Sequence, residues 1–399
     1  MIKLNYQNID FSDYSRRISF NFVTNKFLDL FFEGINVNEL LTIKFSDLII
    51  KIKEIEENII ELSNDDIIQE LNNRIRTIEE NDTKYIKNLK EIIIQNPLPN
   101  EYVNFNENQK KVLFYECNKI IKKQFDYENK YQKNISKYFE KELPPTTCYY
   151  CNIDFINVYS KSYKDILDFL NNAPIDEIME IPGIGKETAE IIKKKQKTIT
   201  TNWKRELNLT LPKEKKLEKF DISYIKPRNC FTLDHVLPKE NYPYFALSLF
   251  NLLPSCYVCN SKLKKSNQLG IKSPTDNNFD FHEKVKFKIF LSNKNNQIQF
   301  NKPNSIDLYL KSINNEFDDY IKIFNLNERY SFHKYKVIEM INKRNRYPDT
   351  RIQELANITN QSFDRVKMDL FGEYLFDDDL SKFPLSKLTK DIAEELGLI

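Results

Sequence analysis

The sequence predicts an α+β fold, a small metal-stapled β-containing core set between helical N-terminal and C-terminal regions. Three observations carry that expectation. Apolar residues recur at helical spacing toward both ends of the chain. In the middle, short apolar runs closed by proline break that period. Two Cys-x-x-Cys pairs, Cys148/Cys151 and Cys256/Cys259, then bracket the stretch in between.

Residues 1–145 read as a helical N-terminal region. Leu48, Ile52, Ile55, Ile59 and Leu62 recur at steps of four and three, which is one apolar stripe of a helix. Ser63 or Asn64 can cap a second helix whose stripe is Ile67, Leu71, Ile75 and Ile78. A third amphipathic stretch runs from Gln109 to about Glu142, where Pro144 and Pro145 must stop it. These stripes are too short for a coiled-coil arm, so packed helices are expected.

Residues 146–302 hold the chemistry. Cys230 to His235 should be a strand, with Phe231, Leu233 and Val236 apolar and Pro238 ending the extended run. Asn251 to Pro254 is a second short strand, and Cys256 to Lys265 then opens a helix on the second cysteine pair. A hairpin of Val285–Leu291 with Gln297–Phe300 around an Asn-rich turn should end this region. From Ser305 onward, within residues 303–399, the pattern is helical again. It includes a helix through Tyr335, Ile338 and Ile341 that ends near Tyr347-Pro348.

Composition narrows the class. At 399 residues, with 41% hydrophobic and 30% charged, the chain has the makeup of a globular protein with two or three cores. No apolar run approaches the roughly 20 residues that span a bilayer, and no secretory apolar segment comes after Met1, so a cytoplasmic protein without a membrane partner is expected. In a reducing cytosol, Cys-x-x-Cys pairs serve metal binding more often than disulfides. The four thiolates of Cys148, Cys151, Cys256 and Cys259 are the tetrahedral set of a structural zinc ion. Cys117 and Cys230 are expected to be buried small apolar residues, and His282 and His333 surface or packing histidines. The net charge of +2 announces no partner, but Lys186 to Phe220 carries ten Lys and one Arg against five Glu, with a counterweight at Asp377, Asp378 and Asp379. A locally basic stretch on a near-neutral chain suits contact with phosphate.

The string LDHVLPK from Leu233 to Lys239, followed by NYPYFALSLFNLLPSCYVCNSK from Asn241 to Lys262, resembles the HNH nucleases of the ββα-metal fold. The match lies with their zinc-stapled branch and covers about 30 residues plus the remote first cysteine pair. The resemblance implies a metal-dependent endonuclease that hydrolyses phosphodiesters in DNA, most often double-stranded, leaving 5′-phosphate and 3′-hydroxyl ends. It implies Asp234 and Asn260 as ligands of a Mg or Mn ion, the hard cations that oxygen donors suit. His235 would be the general base toward water, and Asn251 would brace the loop that aims it. Many relatives carry His where Asn260 stands, so the metal here would have a neutral ligand. Lys262 and Lys264 would meet the scissile phosphate or its neighbours. Zinc-stapled HNH proteins of this kind serve bacterial anti-phage defence beside an ATPase or sensor partner. The same residues support two other readings: a nuclease or toxin acting on structured RNA, and a zinc-stabilised nucleic-acid-binding module whose HNH site is inactive.

The gap of about 80 residues between Cys151 and Asp234 exceeds what a compact core of this type needs. At about 160–200 it contains Ile175 to Ile191, whose Pro182-Gly183-Ile184-Gly185 turn resembles a helix-hairpin-helix DNA-binding motif. Gly183 and Gly185 would let a phosphate approach the backbone, facing the positive end of a helix that starts near Lys186. Lys193, Lys194 and Lys195 would extend that positive face. Such a motif touches backbone phosphates and adds affinity without sequence preference.

Overall fold

A computed structural model describes residues 2–6, 9–60, 69, 72–73, 105–159, 163–220, 228–267, 269, 272–291 and 303–399. The fold is α+β and rich in helix, and the described strands form three two-stranded antiparallel sheets. These strands are β1 (Val158–Tyr159), β2 (Arg228–Asn229), β3 (Thr232–His235), β4 (Leu252–Ser255), β5 (Val285–Leu291) and β6 (Ile306–Ser312). They pair as β1 with β2, β3 with β4, and β5 with β6. The chain divides into two compact units, Met1–Ile156 with Phe231–Ile399, and Asn157–Cys230.

In the first unit the Phe45–Ile60 helix buries Phe45, Leu48, Ile55 and Ile59, the stripe that the periodicity marks. The second expected stripe, Ile67 to Ile78 with its Ser63 or Asn64 cap, lies outside the described residues. The amphipathic stretch before the prolines is two helices, Glu107–Gln124 and Gln132–Glu142, joined by a π-helical turn at Tyr127–Tyr131. Asp126 breaks it by accepting a hydrogen bond from the Asn129 amide (3.3 Å), the capping habit of a short acidic side chain. Phe125, Tyr127 and Tyr131 are all buried at this joint, so the kink keeps three aromatic side chains inside.

Proline places the central strands. β3 ends at His235 ahead of Pro238, and β4 ends at Ser255, in a register that sets Asp234 opposite Leu253 and His235 opposite Leu252. Asn251 sits in the short 3-10 turn before β4 and not within the strand. β5 matches its expected span, but its partner is β6, and Gln297–Phe300 lies outside the described residues. The expected helical pattern from Ser305 is therefore overturned over its first turns. Ile306, Leu308 and Leu310 are buried while Tyr309 and Lys311 are exposed, which is the period of two that belongs to a strand. Helices come after it, among them Lys334–Arg346, which ends before Pro348.

The C-terminal segment docks on the first cysteine pair. Buried Asn152 donates from Nδ2 to the carbonyls of Leu380 (3.2 Å) and Phe383 (3.0 Å). Its Oδ1 accepts from Ser386 Oγ (3.0 Å) and from the Lys387 amide (3.0 Å). With Thr147 Oγ1 (3.2 Å) as a fifth partner, this buried side chain fixes the knuckle against the Ser386–Glu395 helix.

The second unit is a helical cluster whose core includes Phe169, Leu170, Ile178, Ile181, Ile192 and Trp203. Cys230, expected to be buried, is exposed at its end.

Candidate functional site

The four cysteines converge although more than a hundred residues of chain separate the two pairs. Their Sγ atoms lie within 4.8 Å of one another, and all four residues are buried. A tetrahedron with Zn–S near 2.3 Å has edges of about 3.8 Å, so the cluster is close to zinc-ready. The surroundings suit thiolates. Each sulfur receives one N–H: Cys148 from the Cys256 amide (3.3 Å), Cys151 from the Ile153 amide (3.4 Å), Cys256 from the Cys259 amide (3.4 Å) and Cys259 from Arg329 Nη1 (3.2 Å). Four thiolates around one zinc ion leave excess negative charge, and the Arg329 guanidinium offsets part of it. Burial, and after it the three neighbouring cysteines, push the Cys148 thiol well up, and a bound cation would favour its ionisation. Among the described residues this is the one group of three or more His, Cys, Asp or Glu side chains with metal-ligand spacing.

Next to the cluster, β3 presents Asp234 and His235. His235 is 9% exposed, and its Nε2 lies 3.0 Å from the Ala246 carbonyl oxygen. A carbonyl only accepts, so Nε2 carries the proton and Nδ1 is the basic nitrogen. The Tyr127 ring stands edge-on to the imidazole with centroids 4.6 Å apart. That ring belongs to the π-helical turn, a distortion that often marks functional positions. Asn251 is fully buried and spends its whole amide on the connecting loop. Oδ1 accepts from the Leu237 amide (2.7 Å), and Nδ2 donates to the carbonyls of Leu237 (3.1 Å) and Phe245 (3.0 Å). It positions the loop after His235 and touches nothing that reacts. Asn260 is half-buried, and its Nδ2 is anchored on Thr232 Oγ1 (3.0 Å) beside β3. Its Oδ1 is the atom left to act as a ligand.

Burial pushes the His235 pKa down to about 3, and that of His282 to about 3 as well. An unfolded histidine titrates near 6.5, so below that pH the unfolded chain binds protons that the folded chain refuses. Stability is therefore expected to fall as pH drops from about 6.5 toward 3. Asp234, whose pKa burial raises, acts in the opposite sense at the acid end. Comparing denaturation midpoints at neutral and mildly acid pH for the wild type and His235→Gln isolates the imidazole. The variant is expected to lose much of the acid sensitivity.

Lys264 departs from its expected role. It is fully buried and cannot face DNA. Its Nζ lies 3.1 Å from Asp234 Oδ2 and 3.3 Å from Oδ1, and donates to the His235 carbonyl at 2.7 Å. The Tyr150 hydroxyl donates to Asp234 Oδ2 at 2.5 Å. Asp234 is 4% exposed and both its oxygens are engaged, so a Mg or Mn ion does not fit beside it as the site stands. Lys262 is exposed, with its ammonium 5.9 Å from the Tyr257 ring centre.

In the second unit the Pro182–Gly185 turn joins the helices Ile175–Met179 and Lys186–Lys195. Gly183 has φ +83°, a left-handed backbone that strains any residue with a Cβ, so the turn favours glycine there; the nearest neighbour, Lys216 Nζ, is the movable end of a side chain. Gly185 has φ −87° with nothing near its missing Cβ, and the turn makes no such demand on it. Lys186 is exposed at the helix N-terminus, whereas Lys193, Lys194 and Lys195 occupy the last turn of this ten-residue helix. That is the far end from Gly183, where cations suit the helix dipole, so they do not extend the hairpin's positive face. The cations at the hairpin are those that spacing did not single out. Lys215, Lys216 and Lys219 line an open cavity of about 530 Å³ together with Glu180, Ile181, Pro182 and Phe220.

No protein-family model matches the chain, and neither the curated proteins nor the solved structures include a significant match. What stands is an α+β chain whose buried four-cysteine cluster could hold a structural metal such as zinc, compatible with a zinc-stapled module. No described helix is long and apolar enough to cross a membrane.

Proposed function

We propose that this chain is an HNH-type endonuclease that hydrolyses phosphodiester bonds in DNA, with His235 as the general base. The observation that carries the reading is the imidazole itself. Nε2 is fixed on the Ala246 carbonyl, burial keeps Nδ1 free of a proton at neutral pH, and Asn251 braces the loop that follows the strand. Such a nitrogen can take a proton from water as oxygen attacks phosphorus and the 3′ oxygen departs. Exposed Lys262, on the turn that carries Asn260, would supply positive charge to a bound phosphate. The lysine-lined cavity of the second unit would add sequence-independent affinity through backbone phosphate. The Mg or Mn ion of the resemblance, on Asp234 and Asn260, does not fit Asp234 as it is held, and no step of the proposed reaction passes through it. A setting in anti-phage defence, beside an ATPase or sensor protein, is proposed on the resemblance alone.

One observation favours a second reading. Asp234 and His235 are nearly closed to solvent, which suits a zinc-stabilised nucleic-acid-binding module with a silent site. A panel of supercoiled plasmid, linear duplex and structured RNA separates the readings. The nuclease reading expects duplex DNA to be cut, and preferential cutting of the RNA would replace it with a ribonuclease. Binding of the panel without cleavage of any member would favour the silent module.

A further inference from the structure

We infer that Lys264 is the resident cation of the Asp234 site, and that Asp234 takes up no divalent metal ion while Lys264 is in place. Three observations lead there. First, the ammonium is fully buried between the Asp234 carboxylate and the His235 carbonyl, at 3.1 Å and 2.7 Å. A carboxylate and a backbone carbonyl are also the oxygens that a hard cation would seek. Second, the Tyr150 hydroxyl occupies Asp234 Oδ2 from another side, so the carboxylate has two donors and little access to water. Third, the backbone is wound to put Lys264 there. The Lys265 amide donates to the Asn260 carbonyl at 2.9 Å, the five-residue step of a π-helix, and Lys265 turns the chain with φ +52°. This winding carries the Lys264 side chain to the face of the turn that meets β3, where Asn260 is anchored on Thr232.

A divalent ion at Asp234 would have to expel Nζ. It would strand a buried ammonium with no carboxylate, which is a large penalty for any ligand to overcome. Lys264 thus neutralises Asp234 and ties the carbonyl of His235, the residue whose ring faces Ala246. It acts as a positioning residue. The inference deepens the nuclease reading by making this centre independent of Mg and Mn, and its test does not depend on cleavage.

The test is Mn²⁺ uptake followed by electron paramagnetic resonance on zinc-loaded full-length protein. Uptake at the site is the part lost when Asp234→Asn is added, which removes binding by exposed carboxylates from the count. The wild type is expected to show no such uptake at millimolar free Mn²⁺. Lys264→Ala frees the carboxylate and is expected to gain a site that binds at least tenfold more tightly. Should that variant lose its zinc or its fold, Lys264→Gln keeps a donor for the His235 carbonyl without the charge and is expected to gain the same site more weakly. Uptake at Asp234 by the wild type would overturn the inference, as would folded Lys264 variants that bind no more Mn²⁺ than the wild type. Absence of nuclease activity would leave this outcome unchanged, so the two failures are distinguishable.

Discussion

Replacing Cys148 by serine is expected to unfold the first unit and not merely to slow a reaction. Cys148 is one of four buried sulfurs within 4.8 Å, and more than a hundred residues of chain separate its pair from the other. Zinc on four cysteines contributes ~10–16 kcal/mol in small zinc domains, which equals or exceeds the ~5–15 kcal/mol net stability of a typical protein. Without it, three thiols and a hydroxyl are left buried among backbone N–H groups that were aimed at thiolates. Tyr330 also donates to the Cys151 carbonyl at 2.6 Å, and Asn152 ties the C-terminal helix to the same knuckle, so the loss spreads. Elemental analysis should find about one zinc per chain. Cys148→Ser should be insoluble or melt far below the wild type. A well-folded zinc-free protein would contradict the staple.

The second large effect is expected at Asn251. Asn251→Ala removes three hydrogen bonds in a fully buried place and strands the Leu237 amide and carbonyl, while the Phe245 carbonyl keeps the Ser248 amide (3.1 Å). Each stranded buried group costs about 1–3 kcal/mol, and the vacated volume adds to that. A loss of about 4 kcal/mol is the central expectation, measured as the shift in urea midpoint at constant slope. Asn251→Asp should do nearly as much harm, because a carboxylate cannot donate to either carbonyl. A change within about half a kcal/mol would mean that the loop between Val236 and Phe245 is held by something else.

Parts of this site were legible in the residues and parts were not, for physical reasons. Pro238 marks the end of the extended run after β3, whereas Pro254 lies inside β4, which continues to Ser255; paired cysteines announce a shared ligand wherever the fold can bring them together. Tyr150 and Tyr127 carry no such mark. Tyr150 lies between two metal-type cysteines, and its bond to Asp234 exists only because the two halves of the core meet. Lysine is so rarely buried that Lys264 has the look of a surface cation. Only the π-wound turn after Asn260 directs it inward. β6 was hidden by the helical pattern after it, since a seven-residue alternation is short beside the helices downstream. In the insert, the motif drew attention to Gly185 and to Lys193–Lys195. The fold favours glycine at Gly183 and gathers Lys215, Lys216 and Lys219 there from a helix further along the chain.

The most direct measurement of the central claim compares plasmid nicking by the wild type and by His235→Ala, with zinc content matched between the two preparations. General-base catalysis by a positioned side chain is worth about 10²–10⁴ in rate, so the account predicts a wild type that nicks and a folded variant slower by at least about a hundredfold. Equal rates in the two preparations would contradict it and place any activity outside this site.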